Sequence, residues 1–204
     1  MLFFSILLSI TPTKAAFSSF IIPGSGDLLL GNKSRGFCFM AIEAGIWFNF
    51  YNSLKIEEKF DKISRNFAIF YASANPYNNE KKYFDAMENF LTNVDYNEYI
   101  KEKARKLYPD TLDEKIMEER IKKRKEYIEQ YSYIDPDSWS WQTQKFADTY
   151  RDLRKDKRRA SQRATNIIGL ALFNRTVSFF VTYLWGKRVS VNLKENEIEI
   201  GFSF

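Results

Sequence analysis

The chain has 204 residues, of which 31 are Lys or Arg, 26 are Asp or Glu and none is His, so its formal net charge at pH 7 is +5. One cysteine and no histidine exclude a zinc site built from four Cys or His ligands, and they exclude Ser-His and Cys-His catalytic pairs. A mean hydropathy of −0.42 excludes a polytopic transporter. We therefore expect no enzymatic activity, no metal and no cofactor.

Residues 1–16 resemble a secretory signal peptide. An apolar core at 2–10 is followed by the helix breaker Pro12 and by two small residues, Ala15 and Ala16, where cleavage would fall. No positive charge precedes the apolar core, so an uncleaved anchor and a start further upstream stay open as alternatives.

Residues 17–54 are predicted to form an apolar hairpin followed by a membrane helix. Proline stops a helix, and glycine allows positive φ and close backbone approach, so the Pro and Gly residues in 17–35 divide it into short apolar pieces. Neither piece is long enough to cross a membrane alone. We therefore predict a re-entrant or interfacial hairpin, whose turn residues are Pro23, Gly24, Gly26, Gly31 and Gly36.

Two apolar runs, 36–54 and 166–185, are each long enough to cross a hydrocarbon core of about 30 Å as a helix, and the second belongs to a membrane helix predicted over 166–186. Glu43 lies near the middle of one run and Arg175 near the middle of the other. Since a lone charge at mid-depth costs about 2.5–3.5 kcal/mol, we predict that the two form an intramembrane ion pair. A structural pair is favoured over a proton or ion relay, because a relay usually needs more than one titratable step.

The segment PGSGDLLLGNKSRGFCFMAIEAG resembles the P-G-x-G-x-x-x-x-G hairpin of a group of uncharacterised bacterial membrane proteins, which is similar to the TM-two-like domains. That group continues with A-x-E-x-G, W-x-W-like and N-R-x-x-S-like motifs, matched here by Ala41, Glu43, Gly45, Trp139, Trp141, Asn174, Arg175 and Ser178. Asp27 stands where the group usually has glutamine. The resemblance implies membrane association, and the group is a domain of unknown function with no established activity.

Residues 55–165 are predicted to be a polar helical region, which ends in a basic block directly before the second apolar run. A juxtamembrane basic cluster is typical of contact with anionic lipid headgroups. The candidate residues are Arg151, Arg154, Lys155, Arg158, Arg159 and Arg163. A solvated helix face is an equal alternative. Because aromatic residues are not interleaved with the cations, we expect no nucleic-acid partner.

Residues 187–204 alternate polar and apolar side chains on either side of a turn at 194–196, which is a β-hairpin pattern. The last strand resembles the end of an outer-membrane barrel, but the rest of the chain has no set of alternating segments that would close one. We predict a small hairpin that packs against the helices or is extended by a partner strand.

Together these patterns predict a mainly α, membrane-associated helical bundle with a re-entrant N-terminal hairpin and a short C-terminal β-hairpin. The composition is typical of an AT-rich bacterial genome, and we expect the bacterial cell envelope, at the inner rather than the outer membrane. The predicted role is a non-enzymatic scaffold or partner-binding subunit. Its predicted partners are membrane lipids together with a protein partner or a second copy of the chain.

Two other functions stay open. One is an accessory subunit of a transporter or channel that uses Glu43 and Arg175, and the other is a soluble helical protein with a buried apolar core. The sequence also leaves the membrane topology open, because the positive-inside rule places both the basic turn at 33–35 and the block at 151–163 in the cytoplasm. Both placements cannot hold if the two apolar runs cross and the region between them stays on one side.

Overall fold

A computed structural model describes the backbone of residues 11–201 and the side chains of residues 11–188. Over this part of the chain the protein is mainly helical, with seven helices and no strand. The helices are α1 (Pro12–Ile21), α2 (Ser25–Leu29), α3 (Lys33–Ala72), α4 (Lys81–Asn89), α5 (Asn93–Leu107), α6 (Glu114–Tyr131) and α7 (Gln144–Gly201). Most of the predicted signal peptide lies outside the described residues.

The described residues divide into two compact units. Unit 1 takes the residues up to Lys55 and those from Ala160 onward, and unit 2 is Ile56–Arg159. The two long helices, α3 and α7, each contribute to both units. The predicted polar region, 55–165, overlaps most of unit 2.

Unit 1 begins with a hairpin made by α1 and α2. Thr11 caps α1 by accepting a hydrogen bond from the Lys14 N–H at 3.3 Å, and Pro12 occupies the start of the helix, where its missing N–H costs nothing. After α1 ends, Gly24 takes a left-handed backbone conformation (φ +85°) and turns the chain into α2. The chain therefore reverses at the Pro-Gly pair that the sequence marks as a turn.

The hairpin lies against α7 over two turns of that helix. A Cβ atom added to Gly186 would stand 2.8 Å from Pro12, the hydroxyl oxygens of Ser19 and Thr182 are 2.9 Å apart, and the Gly24 N–H donates to Ser178 Oγ at 2.9 Å. From Gly186 to Ser178 is about 12 Å along a helix. The return limb, α2, leads back to Leu30, whose side chain is also within 3.2 Å of that added Cβ. The start of α1, at Pro12, and the end of α2, at Leu30, therefore both lie beside Gly186 of α7.

Unit 1 buries small and polar residues and exposes large apolar ones. The buried residues include Ala15, Ala16, Ser19, Asp27, Ala164, Ala171, Asn174, Ser178 and Thr182, each at most 6% exposed. Large apolar side chains between 59% and 70% exposed are Phe17, Ile21, Phe37, Phe48, Phe173 and Leu184. This distribution is the reverse of that in a protein folded in water, where large apolar side chains form the core.

Unit 2 has the opposite, conventional arrangement. Its core contains the buried aromatic residues Tyr83, Phe84, Trp139, Trp141 and Tyr150. Their polar atoms are satisfied: the indole N–H groups of Trp139 and Trp141 donate to the carbonyls of Phe90 and Met87 at 3.2 and 3.0 Å, and the Tyr150 hydroxyl donates to the Phe84 carbonyl at 3.0 Å. The W-x-W stretch therefore serves packing.

The C-terminal β-hairpin predicted for 187–204 is wrong over 187–201, where the backbone continues as α7; residues 202–204 lie outside the described residues. No proline separates this tail from the preceding helix, and extending an existing helix costs little per residue. A two-stranded hairpin without a sheet or core to pack on is only marginally stable. Short alternation is therefore a weaker signal than the uninterrupted helix before it.

One helix among the described residues, α7 over Gln144–Arg188, is long and apolar enough to cross a membrane, and only 22% of its most apolar window is buried. The first predicted crossing, 36–54 within α3, does not meet the same measure of hydropathy.

The Gly24 turn generates a test of the hairpin. A Cβ atom at this position would lie 2.1 Å from the Gly36 carbonyl oxygen, and its left-handed φ costs a residue other than glycine about 1–2 kcal/mol. We expect Gly24→Ala to lower the melting temperature of the full-length protein in mild detergent, measured by circular dichroism.

The matched control is Gly45→Ala in α3, because nothing lies within 4 Å of an added Cβ there. Alanine is favoured over glycine in a helix by about 1 kcal/mol, so this variant should be as stable as the wild type or slightly more so. Equal melting temperatures for the two variants would contradict the close hairpin packing.

Candidate functional site

Within unit 1, α3 and α7 run antiparallel. The Arg35 guanidinium lies 4.9 Å from the centroid of the Trp185 ring, and Glu43 contacts Arg175 further along. From Arg35 to Glu43 the residue numbers on α3 rise, whereas those of the contacted residues on α7 fall from Trp185 to Arg175. The two helices therefore bring Glu43 and Arg175 into contact.

Glu43 is the centre of a polar cluster that also contains Trp47, Asn174 and Arg175. Arg175 donates to Glu43 Oε1 from Nε at 3.1 Å and from Nη2 at 3.0 Å. The Trp47 indole N–H also donates to Oε1 at 2.9 Å, and the Asn174 amide donates to Oε2 at 2.9 Å. Both carboxylate oxygens are thus occupied by donors, which is how a low-dielectric site stabilises a fixed negative charge.

The cluster shows what sequence reasoning found and what it missed. Both charges were identified from their position in the apolar runs, and the structure places them in contact. Trp47 was not identified as a donor to Glu43, although its spacing of four residues puts both on one helix face. Asn174 was named only as part of the N-R-x-x-S-like motif, and it supplies the donor to the second carboxylate oxygen.

A second ion pair lies in the hairpin, between Asp27 and Arg35. Asp27 is fully buried, and Arg35 donates to its Oδ1 from Nε at 3.0 Å and from Nη2 at 2.5 Å. The guanidinium also lies over the Trp185 ring. The charge of Asp27 is therefore compensated by a cation eight residues further along.

The predicted turn residues lie where the hairpin touches its neighbours most closely. Added Cβ atoms on Gly26 and Gly36 would stand 1.9 Å from the Ala15 carbonyl oxygen and 2.6 Å from Leu28. Pro23 is buried beside them, whereas Gly31 has φ +84° with nothing near it. Gly26 and Gly36 need small size because an added Cβ would overlap a neighbour, and Gly31 needs backbone freedom because its φ is positive.

The basic block is mostly engaged in ion pairs within unit 2. Arg158 donates to both oxygens of Glu88 at 2.8 and 2.7 Å, and Arg154 pairs with Glu88 and Asp85. Arg151 donates to the Glu88 carbonyl at 2.8 Å.

Headgroup contact was predicted for Arg154 as well, but this residue is only 4% exposed and its guanidinium pairs with Asp85 and Glu88. Arg159 pairs with Asp156 at 3.0 Å on the surface. Lys155 and Arg163 are exposed, and for them headgroup contact stays a prediction.

Two carboxylates of unit 2 are held ionised by these cations. Burial alone would raise the pKa of Glu88, but the hydrogen bonds and charges of Arg158 and Arg154 outweigh it, so the pKa lies below the ordinary 4.5. Burial likewise opposes ionisation of Asp61, and Lys157 with Arg65 lowers its pKa below the ordinary 3.8. Lys157 and Asp61 are 2.5 Å apart.

No group of three or more His, Cys, Asp or Glu residues in the described part of the chain is arranged to hold a metal ion. The polar cluster and the Asp27–Arg35 pair are therefore the arrangements of interest in unit 1. Each pairs a carboxylate with an arginine.

Searches with this chain matched no protein family, no curated protein and no solved structure. The resemblance to the family with the P-G-x-G-x-x-x-x-G hairpin stays a prediction.

The ion pairs of unit 2 predict a pH dependence of its stability. A carboxylate whose folded pKa is depressed stabilises the fold above its unfolded pKa, and that contribution is lost as pH falls through the folded pKa. We therefore expect the free energy of unfolding to fall as pH drops below about 4.5. Urea titrations of the full-length protein in mild detergent at several pH values would measure this.

Glu88→Gln should lower stability at neutral pH and flatten the acid limb, because the titrating group is gone. Glu98→Gln is the matched control, since Glu98 is a 60% exposed side chain with only a local pair to Lys101. A Glu88→Gln profile parallel to that of the wild type would show that this carboxylate is not responsible.

Proposed function

We propose that the chain is an integral membrane protein whose unit 1 is an anchor embedded in the lipid bilayer. The observation that carries the proposal is the reversed burial of unit 1, in which small and polar residues face inward and large apolar residues face outward. Burying a large apolar side chain is worth about 1.5–3 kcal/mol in water, so leaving six of them mostly exposed is unfavourable there. In lipid the same surface is already in its preferred solvent.

The interior of unit 1 suits the forces that act in a membrane. Helix association in lipid relies on close packing of small residues and on interhelical hydrogen bonds, since lipid is as apolar as the side chains. Gly24 and Gly36 supply the close approach, and Ser19, Ser178 and Thr182 supply the hydrogen bonds. This combination also disfavours the alternative of a soluble protein with an ordinary apolar core.

The dimensions of unit 1 fit a bilayer. From Ala164 to Trp185, α7 rises about 30 Å, the thickness of a hydrocarbon core. Arg175 is about 15 Å from Trp185, which puts the Glu43–Arg175 pair near mid-depth. In this arrangement α3 and α7 both cross the bilayer, and the hairpin enters to about 12 Å and returns on the same side. The antiparallel contacts support a crossing by α3 despite its lower hydropathy.

Unit 2 is the part that we propose acts as a non-enzymatic scaffold for a partner at the bacterial inner membrane. Asp137 holds two of its loops together by accepting from Asn75 at 2.7 Å and from Asn78 at 3.0 Å. These loops carry Tyr77 and Ile134, which are 88% and 73% exposed. A fixed pair of loops with exposed apolar side chains suits a protein contact.

The first experiment expresses the full-length chain in a bacterium and washes the membranes with alkaline carbonate. Embedded protein should stay in the pellet, as an integral membrane protein of the host does. A peripheral protein of the host provides the released control. Release of the chain with the peripheral control would overturn the membrane proposal, and with it the anchor.

A charge exchange tests the role of the Glu43–Arg175 pair. Either single change, Glu43→Arg or Arg175→Glu, should strongly reduce the amount of folded protein, because it leaves two like charges in contact. The double exchange should restore much of the folded yield, measured by fluorescence-detected size-exclusion chromatography of full-length fusions.

The same double variant separates a structural pair from an ion relay. A relay depends on which helix carries the titratable carboxylate, so an exchanged pair would fold without supporting function. If neither the yield nor the stability recovers, the pair is not a simple structural contact.

A further inference from the structure

Cations gather at the end of unit 1 where the hairpin, α3 and α7 meet. Lys33 and Arg35 lie in the first turn of α3, and Lys187 and Arg188 lie on α7 beside Trp185. A groove of about 490 Å³ runs along this end. Its lining residues are Arg35, Val181, Leu184, Trp185, Lys187 and Arg188.

The groove is amphiphilic along its length. Val181 and Leu184 form its apolar part, and Leu184 is 61% exposed. Lys187 and Arg188 lie about one helical turn beyond Leu184 along α7. A groove with apolar residues along its length and cations at one end matches one class of ligand, an amphiphile with an anionic headgroup.

Arg35 is already oriented for such a ligand. Its Nε and Nη2 are held by buried Asp27, and its guanidinium lies over the ring of Trp185, so it loses little conformational freedom on binding. A guanidinium has five N–H donors in a planar fork, a geometry that matches phosphate oxygens. Its side chain is 24% exposed.

We propose that this groove binds an anionic phospholipid, with the phosphate at Arg35, Lys187 and Arg188 and an acyl chain along Val181 and Leu184. The inference rests on the proposed membrane embedding. Basic pockets between membrane helices are known sites for anionic headgroups, and each cation near the surface is worth about 1 kcal/mol.

The same groove assigns a side to the membrane topology. Under the positive-inside rule, which counts cations in short segments near helix ends, the groove end of unit 1 faces the cytoplasm.

The test uses the full-length protein in mild detergent and native mass spectrometry with added dioleoylphosphatidylglycerol, an anionic lipid. The test variant is Lys187→Gln/Arg188→Gln, and we expect its affinity for this lipid to fall about 30-fold, the equivalent of about 2 kcal/mol for two cations. Wild-type affinity for the anionic lipid should exceed that for dioleoylphosphatidylcholine, whose headgroup is zwitterionic.

Two control variants define the outcome. Arg105→Gln/Lys122→Gln removes the same charge from exposed positions of unit 2 and should leave lipid affinity unchanged. Lys187→Arg/Arg188→Lys keeps both charges and should bind like the wild type, which would show that the positive charges carry the affinity. Equal binding by the wild type and the glutamine variant, or an equal loss in the unit 2 control, would overturn the groove.

Inorganic phosphate at millimolar concentration separates a lipid site from a general anion site. It should not displace the lipid, because it lacks the acyl chain; full displacement would overturn the assignment to lipid. Carbonate extraction of membranes that contain the wild-type protein distinguishes failure of the lipid-binding groove from failure of the membrane anchor. A retained protein without lipid preference contradicts only the groove, whereas a released protein contradicts the membrane anchor as well.

Discussion

Close backbone approach at Gly24 and Gly36 is the constraint on which unit 1 depends. A single Cβ at Gly24 would overlap the Gly36 carbonyl, so the hairpin fits against α3 only without side chains at this point. The contact brings Gly24 N–H to Ser178 and places Asp27 within reach of Arg35. Packing on α7, burial of the acidic residue and orientation of Arg35 therefore all follow from one contact between two glycines.

The two ion pairs of unit 1 differ in what they stabilise. Glu43 receives donors from both α3 and α7, so its charge ties two antiparallel helices together. Asp27 is bound by Arg35 alone among charged residues of the described chain, and that pair fixes the hairpin to the start of α3. Helices that lack a hydrophobic force between them need such specific contacts to select one arrangement.

Sequence patterns predicted the features of unit 1 that depend on local chemistry. Isolated charges in apolar runs identified Glu43 and Arg175, and a Pro-Gly pair identified the hairpin turn, because each breaks a local rule that is costly to break. The patterns did not predict which cations of the basic block are buried. Arg154 reaches Asp85 and Glu88 across almost seventy residues of sequence, and no local spacing reveals a partner so distant.

In the C-terminal tail, a local sequence pattern predicted a structure that the chain does not form. Alternation over a few residues suggested strands, yet the backbone follows the uninterrupted helix before it. A strand needs a neighbour to satisfy its backbone groups, whereas a helix satisfies them internally. The described residues contain no strand with which the tail could pair. A helical tail satisfies its backbone hydrogen bonds without such a partner.

The reversed burial of unit 1 has a calorimetric consequence. A positive heat-capacity change on unfolding arises when apolar surface becomes exposed to water. Unit 2 has its aromatic residues in the core and exposes them to water when it unfolds. Unit 1 already presents its large apolar side chains outward, and in a bilayer or detergent they exchange one apolar environment for another. Almost all of the heat-capacity change of the chain should therefore come from residues 56–159.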